Sequence, residues 1–83
     1  LSMTKGDSKV TLTAALDKAA SSKMTLTGIK VEQQMVGGAW SEIGTYSITV
    51  DAKANTGSVD INGLADGYYR LTYGNYSTFA TLK

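Results

Sequence analysis

The chain has 83 residues, enough for one domain with a single modest core, and its eight basic and seven acidic side chains give a formal charge of +1. With no cysteine and no histidine, it has no disulfide framework, no thiolate nucleophile and neither of the commonest zinc ligands, which removes most zinc and hydrolase chemistry. The charges are spread singly, so no electrostatic footprint for nucleic acid or an anionic membrane is present, and no apolar run approaches the roughly 18 residues of a membrane helix.

The N-terminus lacks the charged-then-apolar pattern of a signal peptide. Because the sequence starts at Leu1 rather than at an initiator Met, an export signal removed by processing is compatible with it. A lean toward threonine, serine, glycine and tyrosine with few charges fits an exported bacterial β domain, so the expected location is secreted or cell surface.

Leu1 to Ser8 is polar, contains a glycine and shows no periodicity, and is expected to be a flexible arm. In Lys9 to Leu16 the apolar Val10 and Leu12 alternate with threonines, which predicts a strand. A helix capped by Thr13 is the alternative, and Asp17 to Ser22 is read as a polar turn or one helical turn. Lys23 to Val36 alternates through Met24 and Leu26, breaks parity at Gly28 and resumes at Ile29, Val31 and Gln33. A glycine at a parity change marks a β-bulge.

Gly37-Gly38 makes a hairpin turn into Ala39 to Asp51, where Trp40, Tyr46, Ile48 and Val50 share a parity. That parity makes Trp40 the expected core anchor. Ala52 to Thr56 is a polar loop, Gly57 to Asn62 a short strand with Val59 and Ile61 inward, and Gly63 to Asp66 the next turn. Gly67 to Thr81 supplies one long bent strand, or two broken at Gly74-Asn75, with Tyr69, Leu71 and Tyr73 on one face. The sum is an all-β chain of five to seven short strands with glycine and asparagine punctuation. It predicts a small antiparallel β-sandwich, prealbumin-like or immunoglobulin-like, over residues 9–83.

The segment TGSVDINGLADGYYRLTY resembles the penultimate hairpin of the prealbumin-like, collagen-adhesin B type domains of Gram-positive surface proteins. Gly57, Val59, Ile61, Gly63, Leu64, Gly67, Tyr69 and Leu71 fit the recurring pattern. The stretch VEQQMVGGAWSEIGTYS, followed by GYYRL, is similar to small secreted single-domain sandwich proteins of Firmicutes. What the adhesin resemblance implies is a sandwich exposed at the cell surface. It also raises an internal Lys–Asn amide bond assisted by an acid, with Lys9, Asn75 and Glu32 in the corresponding places. An ordinary surface lysine and a turn asparagine are the favoured reading of those residues.

Other candidate sites rest on the residues themselves. Asp60, Asn62 and Gly63, with Asp66 nearby, form part of a calcium-loop ligand series but lack its length and terminal glutamate, so turn formation is the favoured role. Glu32 and Glu42 are a conceivable carboxylate pair, but they are expected near opposite ends of one hairpin, as exposed strand residues. Strand alternation puts Tyr68 and Arg70 together on the face opposite Tyr69 and Leu71. Both residue types are enriched at binding hot spots, and this outward pair is the candidate binding site.

The expected function is therefore a non-enzymatic extracellular or cell-surface interaction module that binds protein or glycan through an exposed strand face, without cofactor or metal, nucleic acid or membrane insertion. The alternatives are a structural subunit that forms a homo-oligomer through its edge strands, and a secreted inhibitor-like effector using the 52–56 loop.

Overall fold

The computed structural model describes residues 1–7, 9–15, 23–51 and 55–83. The described residues form seven strands, most of them on alternating apolar and polar residues: β1 (Ser2–Lys5), β2 (Val10–Ala15), β3 (Met24–Gln34), β4 (Trp40–Val50), β5 (Thr56–Ile61), β6 (Gly67–Tyr73) and β7 (Tyr76–Leu82). They form two antiparallel sheets, one of three strands in the order β1-β2-β5 and one of four in the order β4-β3-β6-β7. The all-β sandwich expected from the alternation is the fold observed.

The first four-residue strand corrects the reading of Leu1 to Ser8 as a flexible arm. Ser2 to Lys5 pair with Thr13 to Val10, and Leu1 and Met3 pack against the core. Serine and threonine are competent in an edge strand, and the neighbouring strand selects a segment that shows no alternation of its own. Ser8 and the 17–22 turn lie outside the described residues.

Each sheet contributes one face to the core. Val10, Leu12, Ala14 and Ile61 come from the three-stranded sheet, and Leu26, Ile29, Val31, Ile48, Val50, Tyr69, Leu71 and Leu82 from the four-stranded sheet. Fully burying a side chain of leucine, isoleucine or valine size contributes about 1.5–3 kcal/mol, which makes this two-faced layer the main stabilising element. Tyr69 is wholly buried, and its hydroxyl donates to the Ala65 carbonyl at 2.5 Å. That bond anchors the β5–β6 connection to the strand it feeds and satisfies the polar end of the largest core side chain. Burial pushes the Tyr69 phenol above its ordinary value, and the nearby Asp66 charge adds to this.

Two irregularities decide which side chains face outward. Gly28, with φ of 75°, sits where β3 gains one residue on β4 between the Leu26–Ile48 and Ile29–Tyr46 pairs. This is the bulge expected from the parity break, and it keeps both Leu26 and Ile29 in the core. A second shift, between the Val31–Gly44 and Glu32–Glu42 pairs, leaves Ile43 as an extra residue on β4. It reverses the parity of everything before it on that strand. Tyr46, Ile48 and Val50 therefore face the core side while Trp40 faces out, correcting the expectation that Trp40 anchors the core.

The remaining turns follow their residues. The β3–β4 hairpin closes through Met35 and Ala39, with φ of 97° at Gly37 and 98° at Gly38. The β6–β7 hairpin turns on Gly74-Asn75, where only the glycine has positive φ, as a type II′ turn requires. Of the two readings of Gly67 to Thr81, the broken one is observed.

Candidate functional site

The outer face of the four-stranded sheet is built by its register. Gln34 lies opposite Trp40 and Glu32 opposite Glu42. On the other side of β3, Glu32 lies opposite Arg70. Arg70 in turn pairs with Phe79, and Tyr68 with Thr81. One cross-strand row thus runs Glu42, Glu32, Arg70, Phe79, and these residues share the face opposite Val31, Tyr69 and Leu71.

Three rings converge on this face. The Trp40 ring centroid is 6.0 Å from that of Tyr68 and 6.0 Å from that of Phe79, and the Tyr68 and Phe79 rings are stacked at 5.5 Å with 7° between their planes. Adjacent strands are about 4.8 Å apart, so a Trp40 ring in contact with residues of β6 and β7 must reach across β3. Phe79 remains 54% and Tyr68 41% exposed. A compact aromatic cluster left open to solvent differs from a lone surface ring, which needs no explanation.

Arg70 joins the cluster through Trp40. Its guanidinium carbon lies 4.6 Å from the Trp40 ring centroid, and its Nε donates to Glu32 Oε1 at 2.8 Å. Lys30 Nζ approaches the other carboxylate oxygen of Glu32 at 4.0 Å. The hydrogen bond from Arg70 holds the Glu32 carboxyl below its ordinary value; desolvation opposes this, and the charges of Arg70 and Lys30 reinforce it. The same bond raises the Arg70 guanidinium. A stacked guanidinium with its Nε pinned is held on two sides, and both Nη groups keep their donors without an acceptor among the described residues.

Tyr68 and Arg70 are brought together on the outward face, as alternation requires. Trp40 and Phe79 join them, though neither was read as part of a site. Phe79 was legible, because it shares parity with Ser77 and Thr81 on a strand whose core side carries Ala80 and Leu82. Trp40 was hidden by the bulge at Ile43.

Glu32 and Glu42, expected far apart, are direct cross-strand partners. The hairpin folds about Gly37-Gly38, which sets residues at similar distances from the turn opposite one another. Glu32 is committed to Arg70 in that position.

The residues corresponding to an internal amide bond are not assembled. Lys9 Nζ pairs with Asp60 at 2.9 Å, Glu32 with Arg70, and Asn75 occupies the β6–β7 turn. The partial calcium series is likewise occupied by other contacts. Asp60 accepts from Lys9 and Thr11, which lowers its carboxyl, and Asp66 pairs with Lys5. Among the described residues no three acidic side chains gather closely enough to hold a metal ion. An end cavity of about 210 Å³ is lined in part by Lys5, Asp7, Lys9, Gly63 and Leu64. Its two lysines are spent on Asp66 and Asp60.

Among the described residues no helix is long and apolar enough to cross a membrane. No family model matches the chain, and no curated protein or solved structure matches it.

Proposed function

We propose that this protein is a non-enzymatic extracellular or cell-surface interaction module that binds protein or glycan through the outer face of β4-β3-β6-β7. The observation that carries the reading is the solvent-open cluster of Trp40, Tyr68 and Phe79, with Arg70 over the Trp40 ring. Tryptophan, tyrosine and arginine dominate binding hot spots because each presents a large contact area together with a polar or cationic group. The cluster also lies on a rigid sheet and loses little conformational freedom on binding.

The resemblance of the β5–β6 region to Gram-positive adhesin domains supports the cell-surface setting, as does the composition. The alternative of self-assembly through edge strands draws less support, because β5 lies against β4 and β1 against β7 at the sandwich margins. The inhibitor-like alternative invokes a loop of which residues 52–54 lie outside the described residues.

The test is a screen of the intact chain against neutral and acidic oligosaccharides and against displayed peptides, followed by the same screen with Tyr68→Ala/Phe79→Ala. Ligands retained by the wild type and lost by the folded double variant support the reading. Ligands that bind both proteins equally place recognition elsewhere. Sedimentation as a concentration-dependent oligomer by both proteins favours assembly through the edges.

A further inference from the structure

The outer face carries a cation whose position is fixed by its neighbours, and this defines the chemistry of what it can take. Arg70 is held at Nε by Glu32 at 2.8 Å and faces the Trp40 ring at 4.6 Å. The Nη edge of a guanidinium is the part that matches a carboxylate bidentately, and here that edge retains its donors. A guanidinium already oriented by a carboxylate and an aromatic face has little rotamer freedom left to lose, so its remaining donors are preorganised.

The charges around it are unevenly placed. Arg70 and Lys30 flank Glu32, so this group of three carries one net positive charge, while Glu42 lies on the far side of Glu32, toward β4. An approaching anion is therefore repelled on the β4 side and directed toward β6 and β7, where Tyr68 and Phe79 provide apolar surface. The three rings are mutually within 6.0 Å. They form one compact knob rather than a row of separated platforms, which suits a short protein segment better than successive sugar rings.

We infer that Arg70 receives the side-chain carboxylate of an Asp or Glu in a partner protein segment, with Tyr68 and Phe79 packing against an apolar residue next to that acid. The inference rests on the proposed binding role of this face and names the chemistry of its partner.

The experiment is selection of a random heptapeptide display library on the immobilised intact chain. Selected peptides are then titrated while the emission of Trp40, the one tryptophan of the chain, is followed. The expected result is enrichment of Asp or Glu beside an aromatic or aliphatic residue. Replacing that acid by its amide should weaken binding at least tenfold. Arg70→Lys, which keeps the charge beside Glu32 but loses the fork, should weaken it similarly, as should Phe79→Ala at a half-exposed position. Tyr76→Ala, outside the cluster, should leave it unchanged.

Selected peptides without acidic enrichment that still require Tyr68 and Phe79 would overturn the carboxylate inference and leave the binding face in place. Peptides insensitive to all these variants, or a library that yields none, would overturn the inference; with the oligosaccharides also inert, the binding role falls too. Binding of oligoglucuronate in place of peptides would assign the carboxylate to an acidic sugar and overturn the protein partner.

Discussion

The Arg70 guanidinium lies 4.6 Å from the centroid of the Trp40 ring, although Arg70 is on β6, Trp40 is on β4, and β3 runs between them. The same guanidinium bonds Glu32 of β3 at 2.8 Å, and Glu32 is only 8% exposed. A carboxylate on the outer face is thereby paired with a cation that an aromatic ring also holds.

That arrangement fixes what loss of Trp40 does. A core tryptophan truncated to alanine costs about 3–5 kcal/mol, but Trp40, on the outer face, gives up one cation–π contact with Arg70 and two tilted ring contacts with the exposed Tyr68 and Phe79. Trp40→Ala should therefore destabilise by only about 1–2 kcal/mol in urea unfolding. A loss at the core level, with native emission at a fully buried wavelength, would return Trp40 to the interior.

Acid should weaken the fold in part through Glu32. Its folded-state carboxyl lies below the ordinary glutamate value because Arg70 bonds it. The stability it contributes is thus fully present above the unfolded-state pKa, and is lost as pH falls through the lowered folded-state value. Asp60, lowered by Lys9 and Thr11, acts with the same sign. Glu32→Gln should flatten the drop in melting temperature below about pH 4.5. An unchanged acid limb would show that the pair with Arg70 does not persist in solution.

Base should act through Tyr69 with the opposite sense. Burial raises its phenol above 10.0, so above that pH the unfolded chain ionises first and stability falls as pH rises. Tyr69→Phe removes the bond to Ala65 and should cost about 1 kcal/mol at neutral pH. The same variant should show a shallower alkaline decline in thermal melts; equal slopes for both proteins would contradict the assignment.

The approach of β5 to β4 leaves no room at Gly57. A Cβ there would overlap the Thr49 carbonyl oxygen and lie 2.9 Å from Ile48 Cγ2. The obstacle is largely backbone, so Gly57→Ala should destabilise by about 1–3 kcal/mol. Gly63→Ala is the comparison: no neighbour lies within 4 Å, and its φ of 80° sets the penalty, which should be about 1 kcal/mol. Chemical denaturation of both variants tests the sheet-to-sheet contact, and a neutral Gly57→Ala would mean that the two strands stand further apart.

Strand positions after Lys9 were legible in the sequence because period-two alternation and turn glycines are local signals. Gly28 announced its bulge because a glycine coincided with the parity change. The bulge at Ile43 carried no such mark: isoleucine is an ordinary strand residue, and the shift is visible only against the register of β3. One silent extra residue moved Trp40 from the expected core to the outer face and hid one of the three rings of the aromatic cluster. The pairing of β1 was equally silent, since SMTK has no alternation of its own and takes its conformation from β2. Tyr68 and Arg70 were legible because β6 is regular from Gly67 to Tyr73. That Arg70 is tied to Glu32 was not, because the two are 38 residues apart in sequence.

Binding by the outer face is tested most directly by following Trp40 emission while peptides or oligosaccharides selected on the wild-type chain are added to the wild type and to Tyr68→Ala/Phe79→Ala. The tryptophan reports from within the cluster, and both substitutions fall on exposed rings, so the fold should survive them. A saturable change in emission for the wild type, lost or shifted at least tenfold in concentration for the folded double variant, is the predicted result. Tight binding with Trp40 emission unmoved, and equal affinity for both proteins, would contradict it.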